Sequence, residues 1–409
     1  MTDSNIIHLI MGISSVGKSS FIKSRLKDGV WNGLPIIMAY ELENESTFEL
    51  INKECVIHYN LLRPYSNSFK NIDNSFIADP VLLRLMQYRE RIRASILIAH
   101  HSEMAKRILL RAYAEPILRE TFDIYPQQQI FEILCHLDLD DFHRKWFQFL
   151  DDNYIKFDVV SSSEGSFSKI SSLKEVSKIF SEKKKANYTN QDIDYILRTN
   201  RFEYQRIEIF KKNYTLGQDR SESLRFLDKD YTGKSVLDIG CAYGYFCFEA
   251  EKRNAARVIG TELKRYRFIG CNILKEIFRS NCEFLFQDVF NDLLDDANCF
   301  DTVLLFNVIH HLKEPIKALR IAAQLCNEKL IIEFPTLLDN KFQSTLNGSQ
   351  RIDPCLPLIG VSLSSEDQTF LFSKEAINRI LLDHERLFSK IIFEQSPMSL
   401  ERCIAICYK

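Results

Sequence analysis

A strand pattern that runs directly into a glycine turn, and then into a helix pattern, occurs twice in this chain. The first copy joins an apolar run at 6–11 to the segment 12–19, Gly-Ile-Ser-Ser-Val-Gly-Lys-Ser. The second joins 235–239 to a turn with glycines at 240 and 244. Each copy needs a buried central strand and a helix that begins at the turn. The pattern therefore predicts two parallel α/β units.

The composition agrees with a chain of two or three ordinary folded domains. Its 409 residues are 45% hydrophobic and 26% charged, with a formal charge of -2. No strongly basic domain indicates nucleic acid, although a local basic face is compatible with these values. The eleven cysteines contain no C-x-x-C pair and no charged-then-apolar leader opens the chain, which favours a cytoplasmic protein with reduced thiols. No apolar stretch approaches the ~20 residues that cross a bilayer, so we expect no membrane span.

Strand and helix patterns alternate through both halves of the chain, which predicts two doubly wound parallel sheets. In the N-terminal domain, 1–170, candidate strands are 6–11, 34–39, 55–59, 95–99 and 154–160, and candidate helices are 81–93 and 102–120. A Ser- and Lys-rich stretch predicts a linker over 171–199 with a helix at 172–183. In the C-terminal domain, 200–409, candidate strands are 235–239, 257–261, 283–287, 302–306, 329–333, 388–394 and 401–408.

The first glycine turn fits G-x-x-x-x-G-K-[ST] at every fixed position, which is the pattern of a phosphate-binding P-loop. Backbone N–H groups between Gly12 and Gly17, and at the start of the helix that contains Ser20, can close around phosphate oxygens. We expect Lys18 to reach the β and γ phosphates of ATP and Ser19 to ligate Mg²⁺. The N-terminal domain is therefore predicted to have a P-loop NTPase fold. The alternative is a chance glycine loop before a helix.

Two arginines follow the strand at 95–99 and could act on bound phosphates. The segment 98–111 resembles the strand and lid of small-molecule P-loop kinases. Arg107 and Arg111 are four residues apart, so on a helix they would share one face and could neutralise charge in the transition state. Alternatively, they are an ordinary solvated pair. No strand ends in an obvious aspartate for magnesium, and Asp79 is only a guess for that role.

The second glycine turn has the features of a site for S-adenosylmethionine (SAM). Gly240 and Gly244 permit a sharp turn that admits the methionine part of the cofactor, and Asp238 lies at the start of the turn. The middle position of the motif is Ala242, where glycine is common. Nicotinamide-binding folds share the glycine motif, so the motif alone does not identify the cofactor.

Acidic residues at the ends of the next two strands make the SAM interpretation more specific. Glu262 ends the second strand, where a carboxylate can accept hydrogen bonds from both ribose hydroxyls. Asp288 and the adjacent Val289 follow the third strand and would lie near the adenine amino group. Their order along the chain matches a SAM site at four consecutive elements.

Longer segments of the C-terminal domain resemble one group of enzymes. Residues 214–220, 236–251, 300–312 and 370–376 are similar to class I methyltransferases related to the tRNA wobble-uridine carboxymethyltransferase family. The resemblance covers about residues 200–409 and implies a Rossmann-like class I methyltransferase fold with SAM as cofactor. An N-terminal P-loop domain is not part of the usual layout of the tRNA enzyme, which disfavours tRNA as the substrate.

Three polar residues follow the fourth strand at its carboxyl end, where α/β sheets bind their ligands. Asn307 is expected to contact the cofactor. His310 or His311 could take the proton of the methyl acceptor near neutral pH. Alternatively, one of the pair is a core histidine bonded to the backbone.

The main functional expectation is a bifunctional kinase and SAM-dependent methyltransferase that acts on a small-molecule or glycan acceptor. One alternative is an RNA-modifying methyltransferase, acting on tRNA, with an accessory P-loop domain. The other is a single-activity methyltransferase whose nucleotide-binding domain is regulatory. The bifunctional expectation follows from the two motifs in one chain, and from the absence of the net positive charge that extended RNA contact favours.

Overall fold

The computed structural model describes residues 5–63, 79–111, 126–163, 165–182, 185–200, 202–210, 213–290, 299–338, 353, 355–361 and 370–409. The chain divides into two compact units, Met1–Asp192 and Ile193–Lys409. Within the described ranges, no helix combines the length and the apolar character needed to cross a membrane. Each unit contains one large sheet.

The first unit is built on a six-stranded sheet. Its strands are β1 (Ile7–Gly12), β2 (Ile36–Met38), β3 (Cys55–Asn60), β4 (Ile92–Ile98), β5 (Lys156–Ser163) and β6 (Ser166–Ile170). Its helices are α1 (Lys18–Lys27), α2 (Glu45–Phe48), α3 (Pro80–Met86), α4 (His101–Leu109), α5 (Pro126–His136), α6 (Leu139–Asp152) and α7 (Leu173–Ser181), with 3-10 turns at Ala39–Glu43, Glu49–Asn52 and Arg89–Arg91. The strand order is β2-β3-β1-β4-β5-β6.

The central position of β1 follows from its apolar sequence. Ile7, Leu9, Ile10 and Met11 are buried because β1 pairs in parallel with β3 on one side and with β4 on the other. The strand order therefore reverses direction at β1, and the glycine turn that follows β1 lies at this switch point. Ligands of parallel α/β sheets bind at such points.

Several sequence predictions for the first unit need correction. The predicted helix 81–93 ends at Met86, and its last residues begin β4, because the apolar run from Ile92 pairs with β1. The predicted helix 102–120 is observed over His101–Leu109, and 112–120 lie outside the described residues. The sheet is not wholly parallel, since β6 pairs antiparallel with β5.

The helix predicted at 172–183 within the linker is observed as α7, Leu173–Ser181. Helix α7 packs against α6 and β6 within the first unit, and Arg144 of α6 donates to the Ser177 Oγ at 2.9 Å. Ser172 caps α7 by accepting from the Glu175 N–H, which explains where the helix begins. The polar residues on the exposed face of α7 had suggested a linker, but the opposite face is packed.

The second unit is built on a seven-stranded sheet. The strands of this unit, which include two short pairs outside the main sheet, are β7 (Glu208–Ile209), β8 (Asn213–Tyr214), β9 (Ser235–Ile239), β10 (Arg257–Glu262), β11 (Glu283–Phe286), β12 (Phe300–Phe306), β13 (Cys326–Pro335), β14 (Ile359–Val361), β15 (Phe370–Phe372), β16 (Lys390–Gln395) and β17 (Arg402–Tyr408). The remaining helices are α8 (Asn190–Asn200), α9 (Tyr245–Lys252), α10 (Arg265–Phe278), α11 (Pro315–Gln324) and α12 (Lys374–Asn378), with a π-helix at Arg379–His384 and 3-10 turns at Ser221–Phe226 and Ile309–His311.

The main sheet has the order β11-β10-β9-β12-β13-β17-β16, with β7-β8 and β14-β15 forming two small separate pairs. The first five strands are parallel, whereas β17 is antiparallel to both β13 and β16. The prediction of a parallel α/β fold is confirmed for those five strands, and the last two strands depart from it. Because β9 lies between β10 and β12, the carboxyl ends of these three strands meet at one edge.

Candidate functional sites

The turn after β1 has the tight shape that its sequence predicts. Ser15 and Gly17 have φ angles of 65° and 110°, and Gly17 caps the start of α1. A Cβ at Gly17 would lie 2.7 Å from the Ser162 Oγ, and one at Gly12 would lie 2.6 Å from a methyl carbon of Val16. Neither glycine leaves room for a side chain, so the backbone N–H groups of the turn can approach a ligand closely.

Lys18 is buried and its side chain folds back over this turn. Its Nζ donates to the carbonyl oxygens of Gly12 and Ile13 at 2.7 and 2.8 Å. Burial, followed by the charge of Arg111, lowers the pKa of Lys18 from 10.5 to about 7. A bound anion would stabilise the charged ammonium, because an opposite charge at short distance raises a lysine pKa.

Both arginines singled out from the sequence reach the glycine turn. Arg107 Nη1 donates to the Val16 carbonyl at 2.9 Å and to the Ser162 Oγ at 3.1 Å. Arg111 Nη1 donates to the Ser14 Oγ at 3.2 Å. However, α4 ends at Leu109, so Arg111 lies beyond the helix and does not share a helix face with Arg107. Each guanidinium group therefore contacts the turn separately, Arg107 at Val16 and Arg111 at Ser14.

A cavity of about 710 Å³ opens beside the turn. Of the residues predicted to bind or act on ATP, its lining includes Gly17, Lys18, Ser19, Ser20, Arg107 and Arg111, while Gly12 lies outside it. No aspartate or glutamate is among the described residues that line this cavity. His58, from the end of β3, is there instead, with its Nε2 3.5 Å from the Ser19 Oγ. Burial, followed by the charge of Lys18, lowers the pKa of His58 to about 4.

Asp79, which was only a guess for the magnesium carboxylate, is the N-terminal cap of α3. Its carboxylate is buried and accepts from the Tyr59 hydroxyl at 2.6 Å, the Val81 N–H at 3.2 Å and the Arg63 Nε at 3.3 Å. It does not line the cavity. These contacts fix the start of α3 against β3.

We expect Asp79→Ala to lower the free energy of unfolding by about 2–4 kcal/mol, because it removes the cap of α3 and leaves the buried Tyr59 hydroxyl without its acceptor. Urea titration measures this loss. The control is Asp138→Ala, which removes the exposed cap of α6 and is expected to cost about 1 kcal/mol. Loss of nucleotide affinity in folded Asp79→Ala, with stability unchanged, would contradict the capping role.

The turn after β9 is the counterpart site in the second unit. Gly240, Ala242 and Gly244 have φ angles of 70°, 54° and 80°. A Cβ at Gly240 would lie 2.6 Å from a methyl carbon of Val308, and one at Gly244 would lie 2.8 Å from the ring of Phe284. Ala242 is therefore a residue with a side chain in a conformation that favours glycine, at a cost of roughly 1–2 kcal/mol.

Two buried carboxylates surround this turn. Glu262 Oε2 accepts from the Ala242 N–H at 3.0 Å, and its Oε1 accepts from the Lys264 N–H at 2.8 Å. Burial raises the pKa of Glu262, and it raises the pKa of Asp238 well above its usual range. The Cys247 thiol lies 3.7 Å from Asp238 Oδ2. Glu262 therefore stabilises the turn itself, and each of its oxygens retains a lone pair for a further donor.

A cavity of about 400 Å³ brings together most of the predicted SAM-binding residues. Its lining includes Gly240, Glu262, Asp288, Val289, Asn307 and His311. Asp238 lines a small neighbouring cavity together with Arg220, and Gly244 lies below the turn, where it begins α9. This volume is within the ~300–1,000 Å³ typical of small-molecule sites.

A second cavity, of about 330 Å³, adjoins the first and shares Tyr204, Asn307 and His311 with it. It contains residues that the sequence analysis missed: Tyr204, Gln218, Arg220, Met398, Ser399 and Arg402. Arg220 pairs with the fully buried Glu333, and Arg402 donates to the Asn307 Oδ1. The one available signal was the segment 214–220, which ends in Arg220.

The two histidines after β12 have different surroundings. His310 is 2% exposed, and its Nδ1 has no hydrogen-bond partner among the described residues. Burial, followed by the charges of His311 and Arg402, lowers its pKa to about 2. Such a group is a weak base at neutral pH. His311 is exposed and lines both cavities.

A family model described as "Methyltransferase domain" matches residues 214–382. These residues contain the turn after β9, both buried carboxylates and most of the lining of the two cavities. They also include the five parallel strands of the main sheet, whose order reverses at β9. Residues 214–382 form a class I, SAM-dependent methyltransferase domain. Its glycine turn and acidic strand ends are the features that the sequence had singled out.

Curated proteins similar to part of this chain are named tRNA U34 carboxymethyltransferase. The one from Campylobacter hominis is 31% identical over 91 residues, which cover 22% of this chain and 32% of that protein. The one from Marinobacter nauticus is 28% identical over 116 residues, which cover 26% of this chain and 34% of that protein. The chain thus spans about a third of the length of these relatives.

Solved structures align with about half of the chain. The N-terminal domain of EvdMO1, in the presence of SAH and D-fucose, aligns with a TM-score of 0.41 and 18% identity. The alignment covers 54% of this chain and 97% of that structure.

Proposed function

We propose that the chain is a SAM-dependent methyltransferase that modifies RNA, with tRNA as its acceptor, and that its first unit binds ATP. The observation that carries the first part is the convergence of Gly240, Glu262 and Asn307 around one cavity inside the methyltransferase domain. SAM supplies the methyl group when bound. The domain contributes position and the exclusion of water, which are the main requirements for an in-line displacement.

Each proposed contact to SAM has a physical reason. The backbone at Gly240, which lines the cavity, is proposed to hold the methionine part. Glu262 accepts hydrogen bonds from the ribose hydroxyls with lone pairs that the turn does not use. Asp288 lies in the same cavity, and its Oδ1 accepts from the Phe290 N–H at 3.1 Å, which orients the carboxylate for the adenine amino group. Asn307, held by Arg402, lies where the two cavities meet.

The 330 Å³ cavity is the proposed entrance for the methyl acceptor. Arg220 and Arg402 give it guanidinium donors, and the exposed Tyr204 at its edge offers an aromatic face. Arginine and aromatic side chains are the groups that recognise unstacked bases and phosphates of RNA. The curated relatives, by their names, act on tRNA. These two points favour tRNA over the small-molecule or glycan acceptor that the charge balance had favoured.

His311 is the better candidate for a proton acceptor, if the methylated atom is a hydroxyl oxygen. It lines both cavities, whereas the buried His310 has a pKa too low for the task. His310 is then a core residue that supports the turn after β12.

The first unit has a second candidate function, as a kinase. The P-loop motif and the cavity beside it support ATP binding through Gly12, Gly17, Lys18, Ser19 and Ser20. The positions of Arg107 and Arg111 against the turn favour phosphoryl transfer over binding alone, since such arginines stabilise transition-state charge. The units Met1–Asp192 and Ile193–Lys409 would then work on separate ligands.

We expect Arg107→Ala to lower phosphoryl transfer by about 10³-fold and to change ATP affinity much less, because the arginine acts mainly on transition-state charge. Single-turnover rates and calorimetric affinities separate the two effects. Arg89→Ala, at an exposed position of the first unit, is the matched control. An equal loss of affinity and rate would contradict a transition-state role for Arg107.

The acceptor is tested by double labelling. The whole protein is incubated with methyl-labelled SAM and γ-labelled ATP, in parallel with total tRNA and with a metabolite extract. The proposal expects methyl label in tRNA. Methyl label only in small molecules or glycans would contradict the tRNA proposal, and one molecule with both labels would establish the kinase.

A further inference from the structure

A two-stranded ribbon lies beside the proposed acceptor cavity of the second unit. Its two segments are 204–209 and 213–218, and they include β7 and β8, which pair antiparallel. Further along, the Gln218 N–H donates to the Tyr204 carbonyl at 3.2 Å, so the two segments stay together beyond the short strands. Both of these residues line the acceptor cavity. The ribbon therefore leads from β8 to the entrance of that cavity.

The exposure of the ribbon alternates from residue to residue, as in a sheet with one face in water. Its inner face is buried and consists of Gln205, Ile207, Ile209, Asn213 and Thr215. Its outer face is exposed and consists of Tyr204, Arg206, Glu208, Tyr214 and Leu216. Tyr204, Tyr214 and Leu216 are 40%, 41% and 68% exposed. Large side chains grouped on one exposed face, next to a cavity, are typical of an interaction surface.

The inner face fixes the ribbon against the turn after β9. Gln205 Oε1 accepts from the Tyr243 N–H of that turn at 3.0 Å. The two segments of the ribbon also approach each other closely, since a Cβ at Gly217 would lie 2.4 Å from the carbonyl carbon of Tyr204. The outer face is therefore presented at a defined position relative to the proposed SAM site.

Each tyrosine of the outer face has an arginine packed over its ring. The guanidinium carbon of Arg206 lies 4.6 Å from the centre of the Tyr214 ring. That of Arg267, in α10, lies 4.3 Å from the centre of the Tyr204 ring. Rings and guanidinium planes stack on unpaired bases, and a guanidinium group also binds phosphate. Because Glu208 shares the outer face, stacking rather than net charge is the main attraction that this face offers.

We propose that the outer face of the ribbon binds unpaired nucleotides of the RNA acceptor, with bases stacked at Tyr204 and Tyr214, while the target nucleotide enters the acceptor cavity. This inference rests on the proposed RNA-modifying function. It is continuous with the proposed site, since Tyr204 belongs to the ribbon and lines the cavity. A row of rings selects a single strand, because the bases of double-stranded RNA are already stacked on one another.

The test measures binding of the whole protein to total bacterial tRNA and to a short fluorescent single-stranded RNA of mixed sequence. Tyr214→Ala is expected to weaken both by roughly 5- to 150-fold, which corresponds to the ~1–3 kcal/mol of one stacked base. Tyr214→Phe keeps the ring and should bind as the unmodified protein does. The matched control is Tyr154→Ala, which removes an exposed tyrosine of the first unit. SAM affinity shows that Tyr214→Ala is folded, since Tyr214 lines neither cavity of the second unit.

Pairing the short RNA with its complement gives a second readout, and the duplex is expected to bind more weakly than the single strand. Equal binding of the two, or unchanged RNA affinity in a Tyr204→Ala, Tyr214→Ala double variant, would overturn this inference and leave methylation of tRNA intact. If the double variant instead dissociates a dimer without a change in RNA affinity, the face joins copies of this chain and the inference is overturned. Failure of the unmodified protein to bind or methylate tRNA would overturn the proposed function and the inference with it.

Discussion

Lys18→Ala is expected to lower ATP turnover by at least ~100-fold, the usual effect of removing one donor to a transition-state anion. Lys18 Nζ lies 2.7 and 2.8 Å from the carbonyl oxygens of Gly12 and Ile13, directly above the turn. Alanine there would leave the phosphates without the ammonium that compensates their charge. The measurement is phosphate release under saturating ATP.

The same variant tests the division of the chain into separate sites. SAM affinity in folded Lys18→Ala should equal that of the unmodified protein, because SAM is proposed to bind within Ile193–Lys409. Lys23→Ala, on the exposed side of α1, controls for loss of a positive charge and should retain turnover. Loss of SAM binding in a folded Lys18→Ala protein would contradict separate sites.

Glu262→Ala is expected to weaken SAM binding by ~1–3 kcal/mol, or roughly 5- to 150-fold. The change removes the proposed acceptor for the ribose hydroxyls and leaves polar groups without partners. It also removes the acceptor of the Ala242 and Lys264 N–H groups, so the turn loses support at the same time. Calorimetry measures the affinity.

Two further variants separate ligand contact from support of the turn. Glu262→Gln retains one carbonyl oxygen and should lose less affinity than alanine. Glu283→Ala, on the exposed side of β11, should bind SAM as the unmodified protein does. Thermal unfolding without SAM measures the contribution to stability alone. Unchanged SAM affinity in Glu262→Ala would exclude this residue from the site.

Local patterns in the sequence predicted the parts of the fold that depend on local physics. The central strands β1 and β9 are apolar because both of their faces are buried, and their glycine turns follow at once. The positions of Glu262 and Asp288 could also be predicted, since Glu262 ends one parallel strand and Asp288 follows the next. The carboxyl ends of adjacent parallel strands meet, so order along the chain was sufficient.

Contacts between distant segments could not be read in this way. Arg220 approaches Glu333 of β13, and Arg402 of β17 approaches Asn307, which follows β12, although the members of each pair are far apart in the sequence. Asp79 followed by Pro80 is a helix-start signal that the sequence analysis did not use, whereas the hydrogen bond from Tyr59 is a tertiary contact. The burial of His310 is likewise a tertiary effect. The apolar start of β4 was read as helix because a short apolar run does not distinguish the two.

The most direct test of the account is a pair of calorimetric titrations on the whole protein. SAM is titrated with and without a saturating, non-hydrolysable ATP analogue, and the analogue is titrated with and without SAM. The account predicts one SAM site and one nucleotide site per chain, with each ligand binding in the presence of the other. Absence of SAM binding, or displacement of SAM by the analogue, would contradict it.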